Sequence, residues 1–318
     1  MILSVSRRTD VPAFYADWFY ERVREGSVCV RNPMNAHQVS RISLSPEVVD
    51  CIVFWSKNPR PMLERLGGLD AYKYYFQYTL NDYGRDVEAH VPSLGERIDA
   101  FLRLSERAGK ERVIWRYDPI MFNGTYTPET TLKSIENIAR QLSGRTEKLV
   151  FSLVDNYQSK NSGNLARAGE RKLSPEELDG FLTEISEIGK KYKLELATCA
   201  EAFDGEKYGI KHNSCIDGAL IERIIGAKLN VKRDGQREHC QCVKCDDIGS
   251  YDTCPHGCIY CYANFRPQVV SDRIRQYDVH SPLLCDKIDE ALDKVTDRPV
   301  KSLKVKNSGG GGEQLTLF

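Results

Sequence analysis

The chain has 318 residues, 41% hydrophobic and 28% charged, and its 45 basic side chains balance 45 acidic ones. Such a composition supports a globular protein with a large core, and the zero net charge excludes a global field that would gather polyanions. No run approaches the roughly 18 apolar residues of a membrane span, and the start lacks the apolar stretch of a signal peptide, so no membrane contact and a cytoplasmic location are expected.

In chain order, short β-branched or aromatic runs alternate with amphipathic segments of helical period, the pattern of a parallel α/β sheet or barrel. Ile2–Ser6 reads as a first strand and Ala13–Glu25 as the helix after it, with the polar Arg7-Arg8-Thr9-Asp10 between them. Val28–Arg31 and Val39–Leu44 make an inserted hairpin around Asn32-Pro-Met-Asn35. Further strands are expected at Cys51–Trp55, Tyr74–Thr79, Arg112–Tyr117, Leu149–Val154 and Leu194–Thr198. Helices fall at about Pro61–Leu69, Leu94–Ala108, Pro128–Leu142 and Pro175–Lys191, each beginning near Pro, Ser or Thr. Six β/α units in roughly 200 residues fall short of a closed eight-stranded barrel. The expected architecture is therefore α/β, a partial (β/α)6 barrel over residues 1–235.

In parallel α/β folds the site lies at the carboxyl ends of the strands. Those ends read Arg7-Arg8-Thr9-Asp10, Ser56-Lys57-Asn58-Pro59, Asn81-Asp82-Tyr83, Arg116-Tyr117-Asp118-Pro119, Asp155-Asn156-Tyr157 and Cys199-Ala-Glu201. Any one polar residue there is ordinary for a solvated turn. As a group they say more, because Asp118, Asp155 and Glu201 each follow an apolar strand and would converge. With Arg116 they are the catalytic candidates, while Arg7, Arg8 and Lys57 are placed to bind a cofactor or substrate.

Eleven cysteines in a reducing compartment argue for metal rather than disulfides. Cys29, Cys51 and Cys285 lie in apolar or helical surroundings and read as core thiols. The rest gather late. His239, Cys240, Cys242, Cys245, Cys254, His256, Cys258 and Cys261 crowd into 23 residues of a cysteine-rich segment spanning 236–280. Cys254-Pro-His-Gly-Cys258-Ile-Tyr-Cys261 offers three thiolates at C-x3-C-x2-C, enough for three corners of a [4Fe–4S] cluster, with the fourth iron left open. Structural zinc is the competing reading, although zinc sites usually pair two C-x2-C hooks. A barrel with a zinc-bound C-terminal module would be a binding protein, not an enzyme. Cys199, Cys215, Cys240 and Cys242 suffice for a second, closed cluster, with Cys245 as the substitute. Alternatively Cys199 and Cys215 are buried thiols and the C-x-C-x2-C run binds zinc.

The C-x3-C-x2-C spacing, with Tyr260 just before the third cysteine, resembles the cluster motif of the radical S-adenosylmethionine (SAM) superfamily. That resemblance implies SAM on the open iron, Tyr260 and Asn264 near it, an electron donor such as flavodoxin or ferredoxin, and hydrogen abstraction from substrate. In that superfamily the motif normally follows the first strand. Here the segment would have to pass back over the barrel mouth as a lid bearing the cluster. VSRRTDVPAF, FWSKNP, VIWRYDPI and DIGSYDTCPHGCIYCYANF together resemble an uncharacterised bacterial family with a C-terminal cysteine cluster. The barrel segments also resemble spore photoproduct lyase, which implies a nucleic-acid lesion or modified nucleotide as substrate; neutral charge points instead to a small molecule.

The remainder, 281–306, is expected to hold a helix at Pro282–Val295 with Leu283, Leu284, Ile288, Leu292 and Val295 on one side, then basic Lys301–Lys306. Residues 307–318 are a tail in which Gly309–Gly312 is a flexible tether. Gln314-Leu-Thr-Leu-Phe318 resembles the pentapeptide that docks bacterial repair proteins on the sliding clamp, which would place the protein near DNA.

Overall fold

The structure, a computed structural model, describes residues 1–155, 161–235 and 240–305. Asn156, Tyr157, His239, Lys306, the glycine tether and the Gln314–Phe318 motif lie outside the described residues, as do the expected boundaries at 236 and 307. The strands are β1 (Ile2–Val5), β2 (Ser27–Asn32), β3 (Asn35–Ser43), β4 (Cys51–Ser56), β5 (Tyr74–Thr79), β6 (Val113–Ile120), β7 (Lys148–Leu153), β8 (Glu195–Thr198), β9 (Ile210–His212), β10 (Asp246–Asp247) and β11 (Lys294–Asp297). The helices are α1 (Val11–Phe14), α2 (Ala16–Glu25), α3 (Arg60–Leu63), α4 (Leu94–Ala108), α5 (Pro128–Gln141), α6 (Ser162–Arg167), α7 (Pro175–Tyr192), α8 (Gly218–Ile225) and α9 (Pro267–Ile274).

Strands and helices combine into an α/β fold. An eight-stranded sheet runs β10-β1-β4-β5-β6-β7-β8-β9 with every pairing parallel. Parallel neighbours need crossovers, and from β4 to β8 the helices supply them in sequence order. Helix starts are set locally: Ser93 with Glu96 caps α4, Thr127 precedes Pro128 at α5, and Ser174 with Glu177 caps α7. A smaller sheet, β11-β3-β2, carries the expected hairpin as an antiparallel pair.

The large sheet is covered on both faces, which is why its strands read as nearly unbroken apolar runs. Side chains alternate between two cores. Leu3, Val5, Ile52, Phe54, Phe76, Trp115 and Phe151 pack with the helices in the larger one. Ile2, Cys51, Val53, Tyr75, Ile114, Val150 and Ala197 face the smaller one, closed by Ile216, Leu220 and Ile221 from the α8 region together with Cys215 and Cys242. Cys29, Cys51 and Cys285 are buried, as expected of core thiols. No helix among the described residues is long and apolar enough to cross a membrane.

Three expectations need correction. The helix read as Ala13–Glu25 starts at Val11 and is broken at Tyr15, because Asp10 caps the chain early by accepting from the Ala13 amide. The stretch read as Pro61–Leu69 is one turn of α-helix at Arg60–Leu63 followed by a 3-10 turn at Leu66–Leu69. No helix forms at Pro282–Val295. There Asp286, Asp289 and Asp293 turn back onto the amides of Lys287, Ala291 and Asp289, the local competition that disfavours these residues inside helices. Arg31 then clamps Asp286 at 2.6 Å and Asp293 at 2.7 Å, and the chain leaves as β11, pairing with β3. Leu283 and Leu284 are buried, but Leu292 is 61% exposed, so the five apolar residues do not share a face.

Candidate functional site

The cysteine loop lies across the carboxyl edge of the large sheet, held by residues from several strand ends. Cys258 pairs with Glu88 in an isolated antiparallel bridge, the Ile259 amide donates to the Val87 carbonyl at 3.0 Å, and the His90 amide to the His256 carbonyl at 3.0 Å. Asp10, following β1, accepts from His256 Nε2 at 2.8 Å and from the Lys57 amide, following β4, at 2.7 Å. Asn161 and Asn164, following β7, donate to the carbonyls of Tyr260 at 3.0 Å and Ile259 at 3.2 Å.

Glu88 is the hub of this latch. Its side chain, 1% exposed, lies 2.7 Å from Lys57 Nζ and 3.7 Å from Arg97 Nη1, and its Oε1 accepts from the Tyr260 hydroxyl. Burial alone would push its pKa up; the charges of Lys57 and Arg97 outweigh that and hold it below the ordinary carboxylate value. Lys57 also sits 5.5 Å over the Tyr260 ring, and Asn81, following β5, donates to the Tyr260 oxygen at 3.3 Å.

Cys254, Cys258 and Cys261 line one cavity of about 550 Å³, together with Asn264, His90 and Arg266. Burial pushes all three thiols up, Cys254 to about 12, and each also feels the charge of at least one neighbouring ionisable group in the loop or latch. Asn264 Nδ2 donates to the Cys254 carbonyl at 2.7 Å, while its Oδ1 is buried with no partner. An unsatisfied acceptor beside three thiols is costly unless something donates to it. The loop therefore fits a three-thiolate [4Fe–4S] site with a ligand bearing N–H or O–H groups beside it. Among the described residues no three His, Cys, Asp or Glu side chains close tightly enough on one point for a single metal ion. A cluster makes no such demand, since each thiolate binds a different iron.

The carboxylate group is partly assembled. Asp118, at the end of β6, is bound by Arg116 and by the Ser152 hydroxyl, and its amide donates to Asn81 Oδ1 at 2.8 Å. Glu201 accepts from the Leu153 amide at 2.8 Å, and burial, aided by Asp118, raises its carboxyl to about 7. Asp155 is exposed, its carbonyl accepting from Asn161 at 3.0 Å. Arg116 is buried and runs inward, its Nη1 3.0 Å from Cys215 Sγ and its guanidinium 5.4 Å from the Trp55 ring. Arg7 turns to Cys245 Sγ at 3.2 Å, and Arg8 to the Gly249 carbonyl at 3.3 Å and over the Tyr251 ring. Lys57, Tyr260 and Asn264 thus meet at the cysteine loop, while Arg7, Arg116 and the remaining thiols form a neighbouring group on the smaller core.

Glu88, Asn161 and Asn164 are the latch residues that sequence reasoning missed. Glu88 lies in a loop, Asn161 at the N-cap of α6 and Asn164 within α6, all beyond the first polar residues after a strand, where position alone carries no signal. His256 was grouped with the metal ligands by proximity, yet its Nε2 belongs to Asp10.

A family model described as "Domain of unknown function (DUF1848)" matches residues 2–263. The chain belongs to this family. The match takes in the large sheet and the whole cysteine loop through Ala263. The search of curated proteins finds no match. Among solved structures, a "putative alpha-L-fucosidase" from Bacteroides thetaiotaomicron is similar at 11% identity and a TM-score of 0.27, covering 57% of this chain and 86% of that one.

Proposed function

We propose that this protein is a radical SAM-type enzyme built on a partial (β/α)6 barrel whose cluster is carried by the C-terminal loop. The observation that carries the reading is the gathering of Cys254, Cys258 and Cys261 on one cavity, by a loop latched across the carboxyl ends of parallel strands. When bound, an iron–sulfur cluster with an open iron supplies an electron to SAM and so initiates hydrogen abstraction from substrate. The protein's own part is to hold and shield. The three cysteines hold iron, and Asn264 presents an unsatisfied carbonyl oxygen to the bound cofactor. Tyr260, fixed by Glu88 and Asn81, sets the loop's depth over the sheet. The cavity, at about 550 Å³, is of the size that takes a nucleoside-sized ligand. Asp118, Asp155 and Glu201 are the carboxylates available to polar groups of SAM or substrate at that edge. A small electron-transfer protein such as flavodoxin or ferredoxin supplies the electron.

Anaerobic purification and reconstitution, followed by a SAM-cleavage assay, tests the reading. Wild type is expected to bind iron and sulfide and to release 5′-deoxyadenosine under reduction, and Cys258→Ala to lose both. Stoichiometric zinc without iron after reconstitution, or SAM cleavage retained by Cys258→Ala, would overturn it.

A further inference from the structure

Four sulfurs touch in a row on the smaller core. Cys199, just past β8, has its Sγ 3.2 Å from that of Cys215. Cys215 is in hydrogen-bond contact with Cys242, and Cys242 with Cys240. The expected second cluster does not fit them. A [4Fe–4S] cube gives each thiolate its own iron, and sulfurs in contact cannot reach separate corners. Nor do any three His, Cys, Asp or Glu side chains among the described residues converge on one point as a single ion requires.

Contact between sulfurs is instead the geometry that precedes a disulfide, and the fold sets it up. Strands β8 and β9 lie side by side with Thr198 opposite His212, and the Asn213 amide donates to the Thr198 carbonyl at 2.8 Å. Cys199 and Cys215 thus leave the sheet from neighbouring strand ends. Cys199 is half-buried and Cys215 buried, so the pair runs from the edge of the core inward. Closing it takes the sulfurs from 3.2 Å to about 2.0 Å, a small movement for two side chains already in contact.

Donors are aimed at the inner sulfur. Arg116 Nη1 donates to Cys215 Sγ at 3.0 Å and Asn213 Nδ2 at 3.4 Å. A guanidinium beside a sulfur favours the thiolate, the form of cysteine that reacts. Hydrogen bonds from Cys199 and Cys242, and then the charge of Arg116, hold the Cys215 thiol well below its ordinary value, while the same contact raises Cys199. The pair therefore shares one proton. Redox-sensing sites carry this combination, a stabilised thiolate with a second thiol in contact to resolve it. A plain core thiol does not: burial pushes Cys51 up to about 12.

We propose that Cys199 and Cys215 are a redox-active dithiol that a peroxide oxidises to a reversible disulfide. The shared proton moves to Cys215, and the Cys199 thiolate attacks one peroxide oxygen, breaking the O–O bond; hydroxide leaves and Cys199 becomes a sulfenic acid. Cys215 Sγ then attacks Cys199 Sγ, the S–O bond breaks, and the departing hydroxyl takes the Cys215 proton as water. A thiol, a thiolate and hydrogen peroxide give a disulfide, water and hydroxide, and two electrons pass from sulfur to oxygen. Disulfides in a reducing compartment are of this transient kind. Arg116 also binds Asp118, so the negative charge lost from the pair is felt at that carboxylate. The dithiol stands independently of the cysteine loop and of the function assigned to that loop.

The test is made on the full-length chain, purified anaerobically, reduced, freed of reductant and exposed to hydrogen peroxide, then alkylated and mapped by mass spectrometry of its peptides. A disulfide joining Cys199 to Cys215 is expected to form at least about tenfold faster than the buried Cys29, Cys51 and Cys285 oxidise, and to return to two alkylatable thiols with dithiothreitol. Cys199 and Cys215 staying reduced, oxidation at the rate of the core thiols, or a disulfide between any other pair in the row would overturn the proposal. In Cys199→Ala, Cys215 is expected to oxidise no faster than the core thiols. Rapid, reversible oxidation of Cys215 there would mean that another partner resolves it and would overturn the pair. All of this is read at the peptides of the row, so it holds whether or not the cysteine loop binds iron.

Discussion

The two groups of cysteines are held by opposite means. Cys254, Cys258 and Cys261 come from eight consecutive residues, and their loop is fastened to the sheet edge by charged and polar side chains, Glu88, Lys57, Asp10 and Asn161. Cys199, Cys215, Cys240 and Cys242 come from distant stretches and meet against apolar strand residues, with the buried Arg116 donating to Cys215. A local motif needs the fold only to dock it. A dispersed one needs the fold to exist at all. The first should therefore detach without unfolding the sheet, and the second should fail only with the core.

The largest effect is expected from Glu88→Ala. It leaves the buried Arg97 and the half-buried Lys57 without their partner and frees Tyr260, and breaking a buried pair in this way costs about 3–5 kcal/mol. In the metal-free protein, Cys258 should then react with a maleimide many times faster while Cys215 stays protected, as read by mass spectrometry of the labelled peptides. Equal acceleration at both would show that the loop is not a separate unit.

Arg116→Met makes the converse test. It removes the charged donor from Cys215 and Asp118, a loss of about 1.5–3 kcal/mol for hydrogen bonds to charged groups. Labelling should now rise at Cys215 and Cys199 and stay unchanged at Cys258. A smaller step is Asn161→Ala, which deletes the bonds to the carbonyls of Asp155 and Tyr260. At about 0.5–1.5 kcal/mol for each bond it should loosen the loop measurably without lowering the melting temperature of the sheet to the same degree.

The difference between the groups also marks what the sequence makes legible. The strands at Cys51–Ser56 and Tyr74–Thr79 and the helices at Leu94–Ala108 and Pro175–Tyr192 follow from apolar runs, Ser caps and N-terminal prolines, all local signals. The C-x3-C-x2-C loop is legible for the same reason. Cys215 lies just ahead of α8, which begins at Gly218 because Asp217 caps it by accepting from the Ala219 and Leu220 amides. Helix α9 at Pro267–Ile274 was missed although Arg266-Pro267 carries an N-terminal proline signal, and Pro282–Val295 was misread because its apolar spacing outvoted three aspartates. Glu88 was invisible for a deeper reason. Its importance comes from Lys57 and Tyr260, far away in sequence, and from Arg97 on the following helix, so only the assembled fold distinguishes it from any acidic loop residue.

The last and smallest effect concerns a charged clamp away from both groups, and it decides whether charge latching as such makes a region sensitive to acid. Arg31 hydrogen-bonds Asp293 and holds its carboxyl well below the ordinary range. The folded pKa thus lies below the unfolded one, so the clamp's contribution is present above the unfolded value of about 3.9 and is lost as pH falls through and beneath it. Asp293→Asn should melt slightly earlier than wild type at neutral pH, and the gap should close as the pH is taken below about 4, as read by thermal denaturation at a series of pH values. Neither Cys258 nor Cys215 should become more reactive in this variant at neutral pH, because the clamp fastens β11 to the small sheet alone. If Cys258 does become reactive, the latch at Glu88 is not autonomous but is coupled through the chain between Pro267 and Pro282, and the loop belongs to a larger C-terminal unit that moves with the small sheet.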